Sequence, residues 1–331
     1  MPTSESPSNV KMASTTDPRP SKEMYVNYPS YPRAMILDPV LPHKQTFIIL
    51  HGRGSFAEKF APPLLEMRTG RNETIQTVFP HAKIVFPTAS RNRATVYKNS
   101  FTHQWFNCWH LEDYKKRQGM MRPGLHQSCN YIHFLLKGEI EIVGAENVIL
   151  WGMSQGCATS LSSLLAWDGE PFAAVVGMCG WLPFGNLVEE VSANSSSQFA
   201  TGESHGEDGD FFARSDDEDD PFARSEGEVA SEESSLQASA LSFFREEIDM
   251  DHKKGMICQQ IPVFLGNGME DPKVSIEMGR EARRCLDLLG VDVKMREYDG
   301  LGHWYSEHML SDIFQFIKQN LNSTKQFLVR T

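Results

Sequence analysis

Apolar residues in this chain come in short blocks divided by polar, glycine-rich or proline-rich turns. Residues 46–51, 82–87, 147–151, 172–178, 262–266 and 291–298 are short runs rich in apolar and β-branched side chains. Their length and their flanking turn residues predict strands. Between them, residues 57–67, 124–138, 157–167, 274–289 and 305–321 read as helices. Pro62 and Pro63 predict a break or restart in the first of these. Residues 88–122 read as a long irregular stretch with aromatics at Tyr97, Phe101, Trp105, Phe106 and Trp109. A repeated strand–helix alternation argues for the α/β class, a mostly parallel sheet with helices on both faces.

Two segments break this pattern. Residues 1–22 are polar and rich in Pro, Ser and Thr, and are expected to be a disordered tail. Residues 186–255 are an acidic, low-complexity insertion, expected to be mostly disordered, so that 23–185 and 256–331 form one domain. Within it, Leu236, Ala240, Phe244 and Ile248 fall four apart and fit one face of a short helix. A ten-residue duplication places Ser215 and Ser225 after the same Phe-Ala-Arg triplet and before acidic residues, the setting an acidophilic kinase uses. Long surface loops are tolerated thermodynamically, so a solvated tether is the plain reading. A lid is the sharper one, because the segment leaves the carboxyl edge of the sheet, where ligand sites of open α/β sheets lie.

Charge follows the same division. Residues 201–251 hold 17 acidic residues and 3 Arg, leaving 26 acidic and 29 basic residues elsewhere, so the net charges are −14 and +3. The remainder carries no basic stripe, which argues against nucleic acid as a partner. Six scattered cysteines, with no C-x-x-C pair and no zinc spacing, read as buried free thiols in a reducing compartment. The N-terminus lacks an apolar h-region, and no apolar run reaches the roughly 18 residues of a membrane span. A cytoplasmic location is expected, with the nucleus also open.

Candidate chemistry centres on Gly152-Met153-Ser154-Gln155-Gly156. This G-x-S-x-G pentapeptide stands between a predicted strand and a predicted helix, the context of a nucleophile elbow. Such a corner exposes the serine hydroxyl above the sheet and sets the next N–H, that of Gln155, at a helix N-terminus where an oxyanion is stabilised. A serine hydroxyl needs a general base, and the base needs an orienting carboxylate. The chain order expected after the serine is acid, then histidine. His303 lies in a glycine-rich turn after the 291–298 strand and is the candidate base. Asp271 follows the 262–266 strand and is a candidate acid, with Glu270 beside it as a competitor. A helix N-cap ahead of Pro272 explains Asp271 equally well. His51 precedes the serine and reads as a turn-shaping residue, and His308 as a surface or helix-packing residue. The first strand runs into Gly52-Arg53-Gly54, and the Arg53 N–H is the candidate second oxyanion donor.

These residues, with Trp105-Phe106, Gly180-Trp181-Leu182-Pro183, Asp271-Pro272-x-Val274 and Gly302-His303, resemble the acyl-protein thioesterase / phospholipase–carboxylesterase family of α/β-hydrolases. The resemblance spans about residues 35–184 and 256–322. It implies an α/β-hydrolase fold without a large cap domain and a triad of Ser154, Asp271 and His303, with Asp271 favoured over Glu270 because it directly precedes the proline. It makes Trp105, Phe106, Trp181 and Leu182 candidates for the substrate pocket. Cys157 stands where a second glycine is common in the family, and Asn107 where an aspartate is. The implied activity is a serine hydrolase acting on thioesters or carboxylic esters, with a lipidated protein or a small ester as substrate and no metal or organic cofactor. The alternative is a catalytically weak hydrolase-fold protein whose insertion is a phosphorylatable interaction platform.

Overall fold

The computed structural model describes residues 28–110, 112–200 and 226–327, and side chains within these except 194–200, 226–233 and 322–327. The expected tail at 1–22, Ser215 and Ser225 lie outside the described residues. In chain order the elements are β1 (Met35–Leu37), β2 (Gln45–Leu50), α1 (Ala57–Glu66), α2 (Ile75–Val78), β3 (Ala82–Phe86), β4 (Arg91–Ala94) and β5 (Ser100–His103). They continue with α3 (Arg122–Val143), β6 (Val148–Met153), α4 (Gln155–Leu165), β7 (Ala174–Met178), α5 (Gly185–Ala200) and α6 (Glu226–Glu247). The last are β8 (Val263–Gly268), α7 (Ile276–Leu288), β9 (Val293–Tyr298) and α8 (Glu307–Phe327).

Seven strands form one sheet in the order β1-β3-β2-β6-β7-β8-β9. Only β1 runs antiparallel, against β3; the remaining pairs are parallel. Alternate residues of the central strands serve two cores. Ile48, Leu50, Leu150, Val175 and Leu265 face one cluster with α3, α4, α6 and α7. Phe47, Ile49, Trp151, Val176 and Phe264 face the other with α1 and α8. Strands covered on both faces have no solvated side, which is why they read as continuous apolar runs rather than alternating ones. Helix α4 lies at the centre, with every residue from Gln155 to Leu165 buried. Three of its hydroxyls are accommodated because Thr159, Ser160 and Ser162 each donate to the carbonyl four residues back at 2.9 Å.

Three features differ from the sequence pattern. Helix α1 runs through Pro62 and Pro63 without a break. Both prolines lie on its exposed face, so the carbonyls they leave without a helical donor meet water. The expected irregular stretch contains the β4–β5 hairpin, whose strands are polar and exposed and so carry no hydrophobic signal. Residues 186–255 also fold at both flanks, as α5 and α6. Ala240, Phe244 and Ile248 are buried in the larger core on the four-residue spacing visible in the sequence, with Leu241 beside them, while Leu236 is half-buried. Arg245 is buried beside them and donates from Nε to the carbonyl of Leu165 at 2.9 Å and from Nη1 to that of Lys253 at 3.2 Å. It thereby satisfies an end carbonyl of α4 that the helix itself leaves open. The domain thus continues past the boundary drawn at 255, back through α6.

The fold places α6 under a direct test. Phe244→Ala should destabilise the protein by about 3–5 kcal/mol in urea unfolding, as a buried Phe truncation does. Ser239→Ala, on the exposed face, should change stability by less than about 0.5 kcal/mol. Equal, near-zero effects would show that α6 is a solvated tether.

Candidate active site

Four loops converge at the carboxyl edge of the sheet. They follow β2, β6, β8 and β9, and they bring Gly52-Arg53, Ser154, Asp271 and His303 together. Ser154 is the corner between β6 and α4, with φ 56° and ψ −120°. A non-glycine residue in this region costs about 1–3 kcal/mol and persists only where its surroundings impose it. Here the Ser154 N–H is held by the Met178 carbonyl at 2.8 Å, and the Ser154 carbonyl by the Ala158 N–H at 3.0 Å. The flanking glycines make the turn possible by close approach. A Cβ on Gly152 would lie 2.3 Å from the Gly156 carbonyl oxygen, and one on Gly156 would lie 2.5 Å from that of Leu50.

Ser154 Oγ lies 2.9 Å from His303 Nε2, and His303 Nδ1 lies 2.7 Å from Asp271 Oδ2. An ionised carboxylate only accepts, so Nδ1 carries the proton and Nε2 presents its lone pair to the serine hydroxyl. Asp271 meets the imidazole with one oxygen and ties down its own turn with the other. Its Oδ2 meets the imidazole, while Oδ1 accepts from the N–H groups of Lys273 at 2.8 Å and Val274 at 3.0 Å. It is not the cap of α7, which starts at Ile276 behind Ser275. Burial raises the Asp271 pKa, but the hydrogen bonds from His303, Val274 and Lys273 outweigh it and hold the carboxyl below its ordinary range. Glu270 is exposed, and the carboxylate hydrogen-bonded to His303 is that of Asp271. His308 is exposed on α8.

Gln155 opens α4, so its N–H has no acceptor within the helix. The Arg53 N–H has no protein acceptor among the described residues. A Cβ on Gly52 would lie 3.8 Å from Ser154 Oγ, which puts this loop beside the serine. His51 shapes the loop. Its Nδ1 donates to the Gly52 carbonyl at 2.7 Å and its Nε2 accepts from the Ala89 N–H at 3.0 Å, so the ring is neutral in one tautomer. Burial pushes its pKa down to about 4.

The four expected pocket residues occupy different ground. Trp105, Phe106, Trp181 and Leu182 are all buried in the larger core cluster. Phe106 and Trp181 meet edge to face at 6.1 Å, and Tyr114 packs against Trp181 at 6.0 Å while its hydroxyl donates to Glu281. These side chains are packed in the core beside Gln155, whose amide bonds to the backbone of Trp105 and Phe106. A cavity of about 610 Å³ lies elsewhere, between Glu189, Leu236, Arg284 and Leu288, and none of the candidate site residues lines it. Asn107 uses the amide that an aspartate lacks, accepting from the Thr95 N–H at 3.0 Å and donating to Thr95 Oγ1 at 2.7 Å. The six cysteines are free and buried, Cys157 in the first turn of α4. Among the described residues there is no cluster of potential metal ligands, and no helix is long and apolar enough to cross a membrane.

A serine at a strained strand–helix corner, on a mostly parallel sheet with acid and histidine in later loops, defines an α/β-hydrolase. A family model described as Phospholipase/Carboxylesterase matches residues 32–212, more than half of the chain, and the chain belongs to that family. Acyl-protein thioesterase 1 of Candida albicans is 22% identical over 281 residues, covering 83% of this chain and 91% of that one. Carboxylesterase SOBER1 of Arabidopsis thaliana is 24% identical over 287 residues, covering 85% and 92%. Among solved structures, Zea mays acyl-protein thioesterase 2 superposes with a TM-score of 0.58 at 17% identity, covering 88% of this chain and 100% of that one. Arabidopsis thaliana SOBER1 gives 0.55 at 21%, covering 84% and 99%. At these identities the structural likeness carries the fold.

The buried imidazoles predict a pH-dependent stability. His133 of α3, bonded to the Ser163 carbonyl at 2.8 Å, is held neutral by burial as His51 is, with its pKa also pushed down to about 4. The unfolded chain takes up these protons near the ordinary value of about 6.5 and the folded chain does not, so stability rises with pH across this window. Acidification from pH 8 to pH 5 should cost about 2 kcal/mol per ring. His133→Gln should flatten the urea midpoint against pH by one proton's worth of slope. Superimposable slopes would refute the assignment.

Proposed function

We propose that this protein is a serine hydrolase of carboxylic thioesters or esters, working through an acyl-enzyme. The observation that carries the reading is the hydrogen-bonded relay from Ser154 through His303 to Asp271 at the strained corner. The relatives named above are an acyl-protein thioesterase and a carboxylesterase, which supports an acyl thioester or ester as the substrate class.

In this mechanism His303 Nε2 takes the proton of Ser154 as Oγ adds to the substrate carbonyl. Asp271 stays ionised and stabilises the imidazolium. The new oxyanion accepts from the backbone N–H groups of Arg53 and Gln155, a pair of donors each worth about 3 kcal/mol in the barrier. The imidazolium then protonates the departing thiolate or alkoxide. Water gives a proton to the same nitrogen as its oxygen adds to the acyl carbon; the bond to Oγ then breaks, Oγ takes that proton back from the imidazolium, and the acid leaves.

The test is a chain-length series of model thioesters and oxygen esters with the full-length protein. Turnover should vanish in Ser154→Ala, and Asp271→Asn should lower kcat by about 10⁴-fold, as loss of the orienting carboxylate does. A fluorophosphonate should label Ser154 and nothing else. Folded protein that resists the label would instead fit a catalytically weak, hydrolase-fold interaction platform.

A further inference from the structure

The mechanism above uses only the backbone of Gln155, yet its side chain is 1% exposed and fully engaged. Oε1 accepts from the Trp105 N–H at 3.0 Å, and Nε2 donates to the Phe106 carbonyl at 2.6 Å. Trp105 then reaches in the opposite direction. Its indole Nε1 donates to the His51 carbonyl at 2.8 Å, and its own carbonyl accepts from the Ser128 hydroxyl at 2.6 Å. His51 bonds on to the Gly52 carbonyl at 2.7 Å. One buried chain of hydrogen bonds therefore joins residue 155 to residues 51 and 52, the two backbone segments that present the oxyanion donors.

We infer that the Gln155 amide and Trp105 are the positioning residues of the oxyanion hole, and that together they set the separation between the Gln155 and Arg53 N–H groups. This rests on the hydrolase reading. The donors come from loops after two different strands, β2 and β6, and must each stand about 2.7–3.1 Å from one oxygen. The loop after β2 has little stiffness of its own, because glycines flank Arg53 and Gly54 sits at φ +76°. It takes its position from outside. A primary amide offers an acceptor and a donor on two separate atoms of one planar side-chain end, matching the Trp105 N–H and the Phe106 carbonyl on neighbouring residues. Tryptophan adds a second donor, the indole N–H, that reaches the His51 carbonyl just past the end of β2. Burial keeps the bonds made, since breaking one strands a polar group away from water.

The experiment uses full-length Gln155→Met, Gln155→Glu and Trp105→Phe, with p-nitrophenyl butyrate as substrate and an alkyl trifluoromethyl ketone as inhibitor. Ser154 Oγ adds to the ketone carbonyl, its proton passes to His303, and the resulting oxyanion occupies the hole. Rates are counted per folded site, by circular dichroism and fluorophosphonate titration. Gln155→Met and Trp105→Phe should lower kcat about 10- to 100-fold, the cost of a small misplacement of reacting groups, with KM within about threefold. Ketone affinity should fall in proportion to kcat. Gln155→Glu keeps the acceptor for Trp105 but sets a second acceptor against the Phe106 carbonyl and buries a charge beside the oxyanion, so its kcat and ketone affinity should fall at least as far as those of Gln155→Met. A residue that serves packing alone would leave the ketone's affinity unchanged relative to the KM. An unchanged kcat, or a fallen kcat with unchanged ketone affinity, overturns the inference. If Gln155→Met does not fold, Trp105→Phe decides, because it keeps the backbone N–H and an aromatic ring. A parent protein that neither hydrolyses the ester nor takes the label sinks the hydrolase reading and this inference with it. An active parent with indifferent variants sinks the inference alone.

Discussion

The structure depends on one strained residue. Ser154 sits at positive φ because β6 must stop and α4 must start within a single step, and both elements are buried on all sides. Neither can shift to relieve the corner without exposing apolar surface or breaking the ladder. The strain is therefore set against the packing of two long cores, and it costs a small part of what they contribute. The same corner projects the hydroxyl out of the sheet edge and leaves the Gln155 N–H free. In the proposed reaction, nucleophile and donor are consequences of one backbone conformation.

Everything else at the site is arranged around that corner by neighbouring strand ends. The loop after β8 supplies Asp271, whose second oxygen is tied down by two backbone N–H groups, so the carboxylate cannot turn away from His303. The loop after β2 is held by a neutral His51 and, through Trp105, by α4 itself. Rigid strands set the coarse spacing of these loops, and buried side-chain hydrogen bonds set the fine spacing. The aromatic segment around Trp105 thus serves the geometry of the site from beneath.

Legibility in the sequence followed burial. Strands covered on both faces announce themselves as apolar runs, so most of the sheet was visible. The β4–β5 hairpin is polar, and β1 is apolar but only three residues long, too short a run to mark a strand. Helices α5 and α6 were obscured by composition. Their composition is acidic and serine-rich, and the few apolar side chains that bury, such as Leu241 and Phe244, are thinned out among polar ones. The relay residues could be named because strand–turn–helix corners and glycine-rich turns leave local marks. Asp271 shows the limit of such marks: turn capping and imidazole orientation call for the same residue type in the same place, and the carboxylate does both.

The sequence by itself determined the class of fold, the elbow at Ser154 and the order of its partners, because strand periodicity, glycine placement and turn chemistry are local properties of the chain. Tertiary structure decided what depends on distance between segments far apart in sequence. It placed His303 Nε2 at 2.9 Å from Ser154, a contact across 149 residues, and chose Asp271 over Glu270 by turning one carboxylate inward and the other to water. It also showed that the Gln155 amide and the Trp105 indole face the protein interior. No local pattern encodes the direction of a buried polar group; that direction is fixed only when the core closes and each donor must find an acceptor.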